Sequence, residues 1–120
     1  MPGSPIGNLA AARVAIGAGS WLAPALAGRA FGLDVEGNPQ APYIARLFGV
    51  RDAALGYGLL TSEGAERRRW LMIGIACDLA DTLAGVQTLR DGTLPRLSGV
   101  LVTATALAAA GMGVAALQGA

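Results

Sequence analysis

The sequence predicts an all-α protein, a four-transmembrane-helix antiparallel bundle built as a single integral membrane domain over residues 1–120, and three observations carry that prediction. The first is composition: 53% of the chain is hydrophobic and only 14% charged, where a soluble domain carries about 25% charge. Ala, Gly and Leu supply the apolarity and aromatics are scarce, which suits closely packed helices better than strands. The second is length: turn formers and charges divide the chain into four apolar segments, each close to the roughly 20 residues a helix needs to cross a bilayer core about 30 Å thick. The third is a stripe of small and polar residues at helical spacing on every segment, the pattern by which helices associate in lipid.

The first segment, about 7–28, reads "GNLAAARVAIGAGSWLAPALAG". Its "APALAG" end offers a small-x-small cleavage pattern, but no positive side chain precedes the apolar run and Arg13 interrupts it. That is the wrong order for a secretory signal, so the segment is expected to belong to the mature fold. Pro24 is expected to kink or end its helix. The loop "RAFGLDVEGNPQ" is dense in turn formers. The second segment covers about 42–62, and "EGAERRR" reads as a surface turn before the third, about 70–89. "RDGTLPR" then leads to the fourth, about 97–118, which carries no charged residue. A buried helix in a soluble protein seldom needs that, which weighs against a soluble four-helix bundle with an unusually apolar surface.

Along one helical face, positions i, i+4, i+7 and i+11 line up. The first segment places Arg13, Gly17, Ser20 and Pro24 on such a row, and the second Ala45, Gly49, Asp52 and Gly56. The third gives Gly74, Asp78, Asp81 and Gly85, and the fourth Gly99, Thr103, Ala106, Ala110 and Gly113. These rows are expected to face inward and the leucines to face lipid, with Gly17, Gly49, Gly56, Gly74, Gly85 and Gly99 as the packing glycines. The polar core then holds Arg13, Arg46 and Arg51 against Asp52, Asp78 and Asp81, three charges of each sign. An uncompensated charge at mid-membrane depth costs several kcal/mol, so pairing is expected: Arg51 or Arg46 with Asp78 and Asp81, and Asp52 with Arg13.

Several function classes fall away. Net charge is +1, and the run Arg67-Arg68-Arg69 is too short for nucleic-acid binding; it reads as a phosphate-facing flank. With no His and with Cys77 alone, neither a metal site nor a disulfide is expected, and no cofactor is implied. Gly56-x-Gly58 lacks the strand context of a nucleotide loop. Trp21 and Trp70 read as interface anchors, and Cys77 as core filling beside Asp78. The expected partners are the lipid bilayer and, through the glycine stripes, a second copy or another membrane protein. Basic residues nearly tie across the two sides, Arg67–Arg69 against Arg29, Arg90 and Arg96. Arg13 tips the expectation to a multi-pass cell-membrane protein with both termini cytoplasmic.

"GVRDAALGYGLL" resembles the G-x-R-D-x-x-L-G signature of a family of small four-helix bacterial and fungal membrane proteins of unknown function. The resemblance extends to "RVAIGAGSWLAP" with "RAFGL", and to an Asp-bearing third helix, here "CDLAD". It implies an integral membrane protein and no activity to inherit. Small multidrug exporters need a carboxylate in the first helix, and vitamin K epoxide reductase-like proteins need a cysteine pair; neither pattern is present. The expected function is therefore a non-catalytic scaffold or hydrophobic-ligand binder held together by its Arg/Asp network. The alternative is a membrane enzyme doing acid/base chemistry on a lipophilic substrate, or a proton-coupled carrier, using Asp52, Asp78 and Asp81.

Overall fold

Pro24 divides what the sequence presents as one span. In the computed structural model, which describes residues 4–119, α1 runs Pro5–Leu22 and α2 runs Pro24–Ala30. The two axes differ by 120°. Proline has no N–H to continue the ladder and disfavours helical backbone in the residue before it. Ala23 accordingly leaves the helix at φ −136°, ψ 66°, while its N–H still closes α1 onto the Gly19 carbonyl. The expected single helix over 7–28 is thus corrected to two.

The chain returns through a loop stapled by its own side chains. Asp34 accepts from the Gly37 N–H at 2.9 Å, Asn38 donates to the Asp34 carbonyl, and Arg29 pairs with Glu36 on the surface. The buried Ser98 hydroxyl donates to the Gly32 carbonyl at 2.7 Å, which ties this loop to the last helix. α3 (Ala41–Thr61) then lies antiparallel to α1.

α4 (Gly64–Asp91) is longer than the expected 70–89 and absorbs the "EGAERRR" stretch read as a turn. Ala, Glu and Arg are good helix formers, and Glu66 in the first turn suits the helix dipole. The turn is compressed into Ser62 and Glu63 and the left-handed Gly64, φ +58°. At the far end Gly92 takes φ 69° and its N–H caps the Thr88 carbonyl. α5 (Arg96–Gln118) completes the chain. No strand occurs among the described residues.

Around the bundle the order is α1, α3, α4, α5, each antiparallel to its neighbours. α1 lies close along α3, and α4 close along α5, whereas α3–α4 and α1–α5 approach more sparsely. Small residues explain the tight pairs. A Cβ on Gly17 would stand 2.5 Å from the Gly49 carbonyl oxygen, and one on Gly49 would stand 2.6 Å from that of Gly17. Across α4–α5, Gly85 faces Thr103, Gly99 faces Leu89 and Gly113 faces Ile75. Toward the end that holds Ser4 and Gln118, Leu9, Ala10, Leu59, Leu71 and Ala116 form an apolar plug.

The outside carries many large apolar side chains, and the inside carries polar ones. Leu22, Leu26, Tyr43, Ile44, Tyr57, Leu83 and Leu97 are exposed, while Arg13, Ser20, Asp52, Asp78 and Ser98 are buried. α4 and α5 are each long and apolar enough to cross a membrane, and α1 with α2 would be a third if the bent pair counts as one span.

Candidate functional site

The inward stripe of α1 carries Arg13 into the centre of the bundle. The residue is 4% exposed, and its side chain crosses diagonally from α1 to α4, whose backbones do not approach closely. Two glycines make room for it. A Cβ on Gly56 would press on the Ala10 carbonyl and on Arg13 Cβ, and one on Gly74 would stand 2.8 Å from Arg13 Nη2. These are two of the predicted packing glycines: Gly56 packs on the backbone and side chains of α1, whereas the partner of Gly74 is the Arg13 guanidinium.

Arg13 holds two carboxylates unequally. Nη2 donates to Asp78 Oδ2 at 2.6 Å and Nη1 to Asp78 Oδ1 at 3.3 Å, the paired geometry that binds carboxylates best. Asp52 Oδ1 takes a single contact from Nη1, at 3.4 Å. Asp52 and Asp78 are 5% and 4% exposed. Thr82 steadies the α4 side by donating to the Asp78 carbonyl at 2.8 Å.

One turn along α4, Asp81 receives Arg51 through both terminal nitrogens. This second pair bridges α3 and α4 on the outside of the seam, with side chains 37% and 32% exposed, and Arg51 also stacks 5.1 Å from the Phe48 ring. The neighbours Arg51 and Asp52 therefore do serve different partners.

Two expected placements are corrected. Asp78 pairs with Arg13 and not with Arg46 or Arg51. Arg46 does not enter the polar core: it is exposed, its Nε donates to the Trp21 carbonyl at 3.0 Å, and it lies 5.9 Å from the Trp21 ring. The cause is the break at Ala23. It leaves carbonyls of the last turn of α1 without helical donors, and a helix end must find substitutes. Pro24 was the available signal for that acceptor; the reach of Arg46 to it depends on the α1–α3 packing. Trp70 is half-buried against Gly58, and Cys77 is half-buried.

The buried centre thus contains one guanidinium and two carboxylates, beside a self-neutralising surface pair. Chemically it can clamp helices and hold or release a proton. No group of three His, Cys, Asp or Glu side chains converges to hold a metal ion among the described residues. Comparison with protein-family models, with curated proteins and with solved structures gives no match.

Proposed function

We propose that this protein is a four-span integral membrane module whose Arg/Asp network holds the helices together, and that its role is non-catalytic: a scaffold for a membrane partner or a binder of a hydrophobic ligand. The observation that carries this reading is the consumption of the charged side chains by one another. Arg13 is spent on Asp78 and Asp52, and Arg51 on Asp81.

The bilayer placement has independent support. The molecule measures 45 × 29 × 20 Å, long enough to span the roughly 40–45 Å of a bilayer with its headgroup layers. Large apolar side chains cover its flanks, which would be a severe liability in water. Aromatics sit toward both ends, Trp21 and Tyr43 at one and Tyr57 and Trp70 at the other, as side chains with a polar edge do at membrane interfaces. In this reading α3 spans with α1, α4 and α5, both termini are cytoplasmic, and α2 lies along the opposite interface.

Native mass spectrometry of the protein released from its own membranes tests the role. A copy of this chain or a protein partner retained in the complex, or a bound lipophile that survives mutation of Asp52, supports the module. A small molecule retained by the wild type and lost in Asp52→Asn, with the fold intact, would instead favour the alternative, an enzyme or proton-coupled carrier using Asp52, Asp78 and Asp81.

A further inference from the structure

The sequence balances three arginines against three aspartates, and the tertiary structure breaks that balance. Arg46 leaves for the Trp21 carbonyl. Arg51 and Asp81 cancel each other on the α3–α4 seam. What remains buried is Arg13 with Asp52 and Asp78, one positive group against two that can be negative.

The groups facing Asp52 can be named element by element. α1 presents Arg13, its own helix carries Arg51, and α4 presents Asp78, Asp81 and Cys77. α5 has no ionisable side chain between Leu97 and Gln118, and Arg29, just past the bend, is occupied by Glu36 at the surface. Nothing else is placed to offset a second buried carboxylate. A buried ionisable group without a counter-charge neutralises itself in preference to staying charged. Two carboxylates that share one site cannot both ionise freely.

We propose that the Arg13–Asp52–Asp78 centre is a proton-binding site that holds one proton at neutral pH, on Asp52. The geometry selects Asp52 over Asp78. Asp78 is engaged by both guanidinium nitrogens of Arg13, whereas Asp52 receives only the long contact. Arg13 Nε is buried with no acceptor, so the guanidinium has a donor left over that Asp52 does not engage. Asp52 belongs to the α1–α3 pair and Asp78 to the α4–α5 pair. Loss of the proton therefore puts a net negative charge where the two pairs meet, which links proton occupancy to their separation.

The inference rests on burial of the three side chains and holds whether or not the module reading stands. The infrared spectrum of the purified full chain in detergent tests it, with melting temperature followed as pH is raised. The carbonyl stretch of a protonated carboxyl is expected at neutral pH in the wild type and is lost in Asp52→Asn. A proton bound by the folded protein and released on unfolding makes stability fall as pH rises. The wild type should show that fall, and Asp52→Asn should flatten it while melting near the wild-type value at neutral pH. Should that variant fail to fold, Asp52→Glu moves the band without removing it. Absence of the band at neutral pH, or its persistence unchanged in the Asp52 variants, overturns the proposal.

Discussion

Gly17 and Gly19 are two residues apart on one helix, and packing gives them opposite meanings. A side chain at Gly17 would collide with the backbone of α3, whereas Gly19 has nothing within 4 Å. Gly17→Ala is expected to destabilise by about 1–3 kcal/mol through overpacking. Gly19→Ala should be neutral or stabilise by up to about 1 kcal/mol through helix propensity. Thermal unfolding of both in the same detergent checks the pair, and equal effects would remove the close α1–α3 approach. The aspartates divide similarly. Asp78→Asn leaves the buried Arg13 with only its 3.4 Å contact to Asp52 and is expected to cost about 3–5 kcal/mol. Asp81→Asn breaks a pair that is a third exposed, and should cost about 1 kcal/mol or less. Of the rows read from the sequence, Gly17, Gly49, Asp52, Gly56, Gly74, Asp78, Gly85 and Gly99 are buried, while Pro24, Ala45, Asp81 and Thr103 are half-buried. Which charge meets which was not legible, because partners on different helices share no spacing in the chain.

At the scale of the element, the bend at Ala23 is the feature with consequences beyond itself. It turns α2 out of line with α1 and against α3, exposes the Trp21 carbonyl and draws Arg46 out of the core. Pro24→Ala restores an N–H and should let α1 and α2 straighten. Spin labels at Asn8 and Arg29 report this directly. Their separation is expected to increase in the variant, and an unchanged distance would mean that the Ser98–Gly32 clasp, not the proline, sets the bend. The start of α4 was less readable. Charges at Glu66 to Arg69 look like a loop by hydropathy, yet helix propensity and a left-handed Gly64 extend the helix through them.

The whole molecule is two antiparallel helix pairs clamped by ion pairs across their junction, with an apolar exterior. The proposed four-span topology gives a further prediction. With Cys77 replaced by Ala, single cysteines at Ser4 and Glu66 should label from one side with an impermeant maleimide, and those at Glu36 and Asp91 from the other. Labelling of Ser4 and Glu36 from one side would exclude α1 as a span. Reaction of the first pair only after the inner face is opened corresponds to cytoplasmic termini.

Local chemistry was enough to predict an all-helical chain, inward stripes of small and polar residues, and the helix-ending role of Pro24. These follow from periodicity, propensity and the missing proline N–H, all properties of neighbouring residues. The diagonal reach of Arg13 to Asp78, the departure of Arg46 and the resulting surplus of one buried carboxylate were decided by the tertiary structure. They depend on relative depth and rotation of helices far apart in sequence, which short-range patterns do not encode.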